Sequence, residues 1–463
     1  MSEEMKTLRK QLLRDSRSGY DVLEEAQLRQ MEDYCADYKA FLGNKTERLS
    51  ARAAIAAAEA HGFVEYRRGM ALEAGDKVYT CNRGKGLMLA VMGRESMAEG
   101  AQIAAAHIDS PRLDLKPNPL YEDSELAYFK THYYGGIRKY QWVTIPLQLQ
   151  GVVVKKDGTA VEVCIGEKGE PQLVITDLLP HLGGEQGKKP LSEAIPAETL
   201  NILLGSRPIG DEDDSDRVKL HVMKRLYDKY GITEADFASA ELEAVPAADA
   251  VDIGIDGSMI GSYGHDDRVC GYAALRALLE LDAPAKTAVC VLADKEEIGS
   301  MGVTGMQSAV FETFLSDLCD SQNVPLKVCF ENSFCLSADV TAAYDPNFAD
   351  VFDKKNAAFL NHGVGLCKYT GARGKSGSSD AGAETVAYVR SLLDGAGVRW
   401  QICELGKVDA GGGGTVAQYM ANRNIATLDA GVPVLSMHAP FEVVAKLDCY
   451  EMYRACKAIY EAR

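Results

Sequence analysis

The chain has 463 residues, of which 46% are hydrophobic and 25% charged, a composition typical of a globular protein and a length that fits two or three domains. Its formal net charge of −17 disfavours nucleic acids and anionic membrane surfaces as partners. The first ten residues lack an apolar signal segment, and no apolar run approaches the ~18 residues that a membrane helix needs.

Twelve cysteines are spread along the chain, and no two of them form a Cys-x-x-Cys pair. Several lie inside apolar runs, as reduced thiols of a protein core do. Because disulfide bonds are rare in the cytoplasm, we predict a cytoplasmic protein with reduced cysteines, without a zinc ribbon or a redox motif.

The first 62 residues are predicted to be mostly helical. Residues 21–42 carry apolar side chains at helical spacing, and residues 46–61 are rich in alanine and charge. Short apolar runs separated by glycine and charge follow, and they predict strands at 87–93 and 102–109.

The strand at 102–109 ends in the sequence Ala-His-Ile-Asp-Ser-Pro. His107 and Asp109 are two residues apart, so they lie on the same face of a strand. A metal-bound imidazole usually hydrogen-bonds a carboxylate or carbonyl through its second nitrogen, so this pair can supply a metal ligand and its partner. The alternative is a buried histidine that a nearby carboxylate satisfies.

Residues 114–255 have a different texture, with predicted strands at 141–154 and 160–165 and a polar, acidic tract at 183–217. We interpret them as a β-rich domain inserted into a catalytic domain that is formed by residues 1–113 and 256–463. His181 is the one residue of the insertion that we single out, although a histidine there is by default an ordinary surface or core residue.

Carboxylates mark two further element ends in the second catalytic part. Asp266 precedes a predicted helix at 269–281, where it can cap the helix or bridge two cations. The apolar run at 287–293 predicts a strand that is buried on both faces, and Glu296 and Glu297 follow it. Active sites of open α/β sheets lie at such strand ends; the alternative is a solvated acidic loop.

The remaining elements add two more candidates. A strand-like run at 328–340 contains Asp339, which can also be a turn former, and the segment at 428–437 leads to His438. Helices are predicted at 381–393, 416–423 and 448–463, and a strand at 400–405. The Gly-Lys-Ser sequence at 374–376 lacks the first glycine of a phosphate-binding loop.

Taken together, these element ends present two imidazoles and three carboxylates. That set fits a two-metal hydrolytic site, and nitrogen and oxygen ligands without thiolate suit Zn²⁺, with Mn²⁺ or Co²⁺ as substitutes. The predicted metal ligands are His107, Asp266, Glu297, Asp339 and His438. The predicted fold is α/β, with an inserted β-rich domain.

Six sequence motifs resemble those of the M18 aminopeptidases, the aspartyl-aminopeptidase-like group of zinc peptidases. They are Ala-His-Ile-Asp-Ser-Pro at 106–111, His-Asp-Asp-Arg at 265–268, Asp-Lys-Glu-Glu-Ile-Gly-Ser at 294–300, Ser-Ala-Asp at 337–339, Gly-Gly-Gly-Thr at 412–415 and Leu-Ser-Met-His at 435–438. The resemblance implies His107 and Asp339 on one metal ion, Glu297 and His438 on the other, Asp266 bridging both, Glu296 as general base and Asp109 as the residue that tunes His107.

For the fold, the resemblance implies a mixed-sheet dinuclear-zinc peptidase core with helices on both of its faces. It also implies peptide substrates with a free amino terminus and a large homo-oligomer, typically a dodecamer, to which the inserted domain contributes as an assembly or lid domain. Lys368 resembles a substrate-contacting lysine, and His181 resembles a histidine that reaches a neighbouring subunit's site. Two other functions stay open from the residues: a related metal-dependent deacylase or carboxypeptidase-type hydrolase, and a non-catalytic assembly protein. The preferred amino-terminal residue, acidic or neutral, also stays open.

Overall fold

The computed structural model describes residues 2–14 and 17–463. Its helices are α1 (Glu3–Leu12), α2 (Glu25–Phe41), α3 (Glu47–Ala60), α4 (Leu191–Ala194), α5 (Arg217–Tyr230), α6 (His265–Leu279), α7 (Val310–Asp320), α8 (Leu326–Glu331), α9 (Ala383–Gly395), α10 (Ala417–Ala421) and α11 (Lys446–Tyr460). Within the described residues, none of the helices has the length and hydropathy that crossing a membrane requires.

Twenty strands accompany these helices in the described residues. They are β1 (Val64–Glu65), β2 (Lys77–Asn82), β3 (Gly86–Val91), β4 (Ala101–His107), β5 (Arg112–Asp123), β6 (Leu126–Tyr134), β7 (Leu147–Val154), β8 (Ala160–Ile165), β9 (Ile202–Gly205), β10 (Ala240–Pro246), β11 (Val251–Ile253), β12 (Met259–Ser262), β13 (Thr287–Ala293), β14 (Phe334–Ala338), β15 (Thr341–Ala342), β16 (Val364–Cys367), β17 (Trp400–Ile402), β18 (Ala426–Gly431), β19 (Pro433–Leu435) and β20 (Glu442–Ala445).

The largest sheet has nine strands in the order β1-β2-β3-β13-β4-β14-β18-β16-β17. Its centre is parallel, since β13, β14 and β4 run in the same direction, whereas β3 runs antiparallel to β13 and β16 antiparallel to β18. All seven residues of β13 are buried, as its uninterrupted apolar sequence predicts. The prediction of an α/β fold with a mixed sheet is confirmed.

Helices cover both faces of this sheet, as predicted. Along β3, Leu87 and Leu89 pack into one core together with residues of α2, α3, α6, α9 and α11. Met88 and Ala90 point the other way and pack into a second core with residues of α7, α8 and α10. Side chains alternate between the faces of a strand, so the two apolar layers explain why β3 carries no polar side chain on either face.

The strand register sets which residues meet at one edge of the sheet. Ala293, the last residue of β13, lies beside His107, the last residue of β4. Ser337 of β14 lies beside Ala105 of β4, which places Asp339 next to the end of β4. The carboxyl ends of three parallel strands thus meet where ligands bind in open α/β sheets.

A second sheet of six antiparallel strands, β8-β7-β10-β5-β6-β9, is built from residues 112–246. Apolar side chains of this sheet, such as Phe129, and of the segments around it, such as Trp142, form a core of their own. The polar tract at 183–217 also contains two elements that its composition did not predict, the short helix α4 and the strand β9. The strand β9, with isoleucine and leucine at 202–204, pairs with β6. It is too short to give a recognisable apolar pattern within a polar tract. The domain boundaries at 113 and 255 stay a prediction.

A third sheet, β11-β12-β20-β19-β15, has five strands. Its pairing of Ser262 in β12 with Glu442 in β20 brings the start of α6 beside the segment that contains His438. Residues from both ends of the second catalytic part thereby reach the edge of the large sheet.

The largest differences between predicted and observed strand bounds concern two of the predicted strands. The run at 328–340 is divided between α8 and β14, because a short apolar run suits a buried helix as well as a strand and α8 begins directly after Pro325. The strand predicted at 141–154 begins only at Leu147, since Thr144 has a positive φ of 62° and Pro146, which follows two residues later, cannot donate a hydrogen bond to a sheet.

Candidate active site

The strand ends supply three parts of the site. His107 ends β4, Asp339 follows β14 directly, and Glu296 and Glu297 lie in a short turn of helix after β13. The side chain of His107 is 2% exposed, that of Glu297 4% and that of Glu296 17%. The predicted base, Glu296, is therefore the most accessible of these three, as a residue that contacts substrate needs to be.

Asp266 lies between the two candidate histidines. Its Oδ1 is 3.3 Å from Nε2 of His107, and its Oδ2 is 3.1 Å from Nε2 of His438. The backbone dihedrals of Asp266 are non-helical although α6 begins one residue earlier, so the carboxylate projects from the helix start toward the sheet edge. A carboxylate that presents one oxygen to each of two imidazoles has the geometry of a bridging ligand.

His438 approaches from the segment after β19. Its Nε2 is 3.5 Å from Oε2 of Glu297, and its Nδ1 lies 2.9 Å from the carbonyl oxygen of Gly136. Because Nδ1 donates to a carbonyl, Nε2 keeps its lone pair for a metal ion. Gly136 belongs to the loop after β6, and a Cβ there would lie 3.3 Å from Nδ1, so the close approach favours glycine.

Asp109 connects His107 with the two glutamates. The carbonyl oxygen of Asp109 lies 2.9 Å from Nδ1 of His107, and its Oδ1 lies 3.3 Å from the same nitrogen. Oδ1 accepts a hydrogen bond from the amide of Glu296 and Oδ2 one from the amide of Glu297, each at 3.2 Å. Tyr134 at the end of β6 donates its hydroxyl to Oδ2 at 2.8 Å. One buried carboxylate thereby orients an imidazole and the backbone of both glutamates.

The cluster fits a cation. Ligand atoms of His107, Asp266 and Glu297 lie within 4.8 Å of one another, and so do those of His107, Asp267 and Asp339. Among the described residues, Oε1 of Glu297 and Oδ1 of Asp267 are buried without a hydrogen-bond partner. Buried carboxylate oxygens need such partners, and a metal ion would satisfy them. Imidazole and carboxylate donors suit zinc.

The electrostatics of the chain alone indicate the same need for positive charge. Burial, partly offset by His107, raises the pKa of Glu296 to about 7. Burial and the neighbouring Asp266 raise the pKa of Glu297 well above its usual range. Burial lowers the pKa of His438, but the hydrogen bond to Asp266 and the negative charges of Glu297 and Asp266 together outweigh it, and the pKa rises to about 10. These carboxylates crowd one another, so bound cations would stabilise their ionised forms.

The two residues predicted to contact substrate make no direct polar contact with the described residues of this cluster. Lys368 follows β16, is about half exposed, and its Nζ is 3.6 Å from Oδ1 of Asp380. His181 is exposed in the segment between β8 and α4. Across residues 2–14 and 17–463, no hydrogen bond or ion pair joins either residue to the cluster. Their contact with substrate stays a prediction.

The structure also places residues at the site that the sequence analysis did not select. Glu442 accepts hydrogen bonds from the amides of Asp266 and His438, and Tyr134 holds Asp109. Glu442 follows His438 by four residues, and that spacing was its only sequence signal. Tyr134 gave no signal, since its role depends on how the second sheet packs against the first.

Comparison with known proteins gives the chain a family. The M18 peptidase model, described as aminopeptidase I zinc metalloprotease, matches residues 44–460. The probable M18 family aminopeptidase 1 of Clostridium acetobutylicum is 48% identical over 450 residues, which are 95% of this chain and 97% of that protein. The probable M18 family aminopeptidase 1 of Thermotoga maritima is 44% identical over 439 residues, 93% of this chain and 96% of that protein.

Solved structures agree with this assignment. The crystal structure of the M18 aminopeptidase from Thermotoga maritima has a TM-score of 0.93 at 41% identity, covering 97% of this chain and 99% of that one. The structure of the S. cerevisiae mApe1 dodecamer has a TM-score of 0.76 at 21% identity over 93% of this chain and 99% of that one, and it shows a shared fold alone. The family model spans most of the sequence, and relatives named as aminopeptidases share more than two-fifths of its residues: the chain belongs to the M18 family of zinc aminopeptidases.

Proposed function

We propose that this aminopeptidase binds two Zn²⁺ ions per subunit at the cluster around Asp266 and releases the amino-terminal residue from peptides with a free amine. The observation that carries the proposal is the position of the Asp266 carboxylate, whose two oxygens lie 3.3 and 3.1 Å from the Nε2 atoms of His107 and His438. In this proposal His107 and Asp339 would hold one ion, Glu297 and His438 would hold the other, and Asp266 would contribute its carboxylate to both. Mn²⁺ or Co²⁺ can replace zinc at such sites.

Zinc ions at this site would lower the pKa of a bound water and polarise the scissile carbonyl. The chain's own residues do the rest. Glu296 takes a proton from the attacking water and passes it to the leaving amine, as a general base and then acid. Asp109 holds the amides of Glu296 and Glu297 and the ring of His107, so the base and the ligands keep a fixed relation during turnover.

A comparison of free and blocked peptides tests the proposal. We expect the purified protein to hydrolyse peptides with a free α-amine and to leave the same peptides intact after amino-terminal acetylation. Cleavage of the acetylated peptides would indicate a deacylase or a carboxypeptidase-type hydrolase instead. Elemental analysis gives the metal content: about two zinc equivalents per chain support the proposal, and a protein without metal and without hydrolysis would be an assembly protein of the same fold.

We further propose a homo-oligomer, and specifically a dodecamer, in the cytoplasm. The resemblance to the M18 motifs and the shared fold with a structure described as a dodecamer support the assembly, and the free thiols of the cysteines suit a reducing compartment. In this arrangement residues 114–255 form an assembly domain, His181 reaches a neighbouring subunit's site, and Lys368 contacts substrate. Native mass spectrometry measures the subunit number, and Lys368→Ala should raise KM more than it lowers kcat.

A further inference from the structure

Glu442 is a buried carboxylate at the back of the candidate metal cluster. It is the first residue of β20 and is 1% exposed. Its Oε2 accepts a hydrogen bond from the amide of Asp266 at 3.1 Å, and its Oε1 accepts one from the amide of His438 at 2.7 Å. Each carboxylate oxygen thus holds the backbone of a different residue that faces the cluster.

The two residues that Glu442 holds come from distant parts of the chain, and their backbones are not held by regular structure. Asp266 has non-helical dihedrals at the start of α6. His438 has a φ of 65°, in the left-handed region that residues other than glycine rarely adopt. Neither amide donates to a helix or a strand, so the carboxylate of Glu442 is the acceptor that fixes both.

Asp109 does the same on the other side of the cluster, where its two oxygens accept from the amides of Glu296 and Glu297. On each side of the cluster, one buried carboxylate therefore accepts hydrogen bonds from two backbone amides. These hydrogen bonds restrict the backbone of the four residues that donate them. Ligand geometry at metal sites depends on such outer hydrogen bonds, whose removal typically costs 10–100-fold in metal affinity or activity.

We propose that Glu442 is a positioning residue for the metal centre: it holds Asp266 and His438 in the one relative placement at which the carboxylate of the first and the imidazole of the second reach the same ion. This role rests on the two-zinc function proposed above and adds to it a residue that binds no metal itself.

The structure offers a matched control in Asp448, near the start of α11. Asp448 is fully buried, and its two oxygens accept from the amides of Asn361 and Gly363, each at 2.7 Å. It makes the same double contact as Glu442, but to residues that precede β16. Loss of either double contact should affect folding stability, whereas only the contact at Glu442 should affect metal binding.

The test compares Glu442→Gln with Asp448→Asn in the full-length protein. Glutamine keeps the size of the side chain but replaces one acceptor oxygen with an NH₂ donor, so one of the two amides loses its partner. Zinc affinity is measured by competition with a chromophoric chelator, and cobalt-substituted protein gives a visible spectrum that reports ligand geometry. We expect Glu442→Gln to weaken binding of at least one zinc ion by about 10–100-fold and to change the cobalt spectrum.

Asp448→Asn should leave zinc affinity within about twofold of the wild type and the cobalt spectrum unchanged, even if its melting temperature falls. A Glu442→Gln protein that binds zinc like the wild type would overturn the positioning role. Wild-type protein that binds no zinc would instead overturn the proposed function, so the two failures are distinguishable.

Glu442→Asp is the alternative variant if Glu442→Gln does not fold. Aspartate keeps the negative charge, but its shorter side chain cannot reach both amides, so we expect the same loss of zinc affinity. Amide hydrogen exchange of the wild type needs no variant at all. Slow exchange at Asp266 and His438 that zinc slows further supports the role, and exchange there that zinc leaves unchanged counts against it.

Discussion

The replacement Glu296→Gln separates catalysis from metal binding. Oε2 of Glu296 is 3.9 Å from Nε2 of His107, and the amide of Glu296 donates to Asp109 at 3.2 Å. Glutamine has the same shape and keeps this backbone hydrogen bond, so the ligands around it should stay in place. Only the ability to accept and return a proton is lost.

A general base contributes about 10²–10⁴-fold to a rate, which corresponds to about 2.7–5.4 kcal/mol of transition-state stabilisation at 1.36 kcal/mol per tenfold. We therefore expect kcat of the Glu296→Gln protein to fall by about 10²–10⁴-fold while the zinc content stays that of the wild type. The assay is steady-state hydrolysis of a panel of aminoacyl fluorogenic substrates, run with each metal, together with elemental analysis of the same sample.

The neighbouring residue supplies the control. Glu297→Gln changes the same kind of side chain one position away, but Oε2 of Glu297 lies 3.5 Å from Nε2 of His438 and belongs to the proposed ligand set. We expect that variant to lose zinc as well as turnover. A Glu296→Gln protein with full zinc content and a kcat within about threefold of the wild type would refute the assignment of Glu296 as the base.

Three further predictions concern stability. Tyr134→Phe removes the hydroxyl that donates to Asp109 at 2.8 Å. Because a hydrogen bond to a charged group is worth about 1.5–3 kcal/mol, calorimetry should show a melting temperature lower by about 2–3 °C. An unchanged melting temperature would contradict the contact. Burial raises the pKa of Asp429 to about 6, above its unfolded value, so its ionisation costs nothing below about pH 4 and about 3 kcal/mol above pH 6. Asp429→Asn, which can still accept from Thr415, should therefore be more stable than the wild type at pH 7 but not at pH 4. A difference in unfolding free energy between variant and wild type that is the same at both pH values would argue against the raised pKa of Asp429. Removal of zinc by a chelator should lower the melting temperature, by an amount equivalent to about 4 kcal/mol if free zinc had been 1,000-fold above its Kd, and added zinc should restore it; a melting temperature insensitive to chelation would speak against a metal in the cluster.

Much of the fold follows from local sequence patterns. The apolar run at 287–293 coincides with β13, and the helical spacing at 381–393 falls on α9 (Ala383–Gly395), because periodicity and burial act within a few residues. The predicted element bounds were wrong where a short apolar run could form either a helix or a strand, as at α8 and β14. The strand β9 was not predicted, because it is short and lies in a polar tract. Such segments take their structure from the elements that they pack against.

The sequence by itself determined which residue types stand at the ends of β4, β13 and β14, since each follows directly from a local apolar run. Only the tertiary structure decided that Asp266 and His438 join them, because β12 and β20 must pair before these two residues can approach His107. The same holds for Glu442 and Tyr134, whose contacts are hydrogen bonds between residues far apart in the chain. Local patterns carry no information about such contacts, which depend on the register of strands from distant segments.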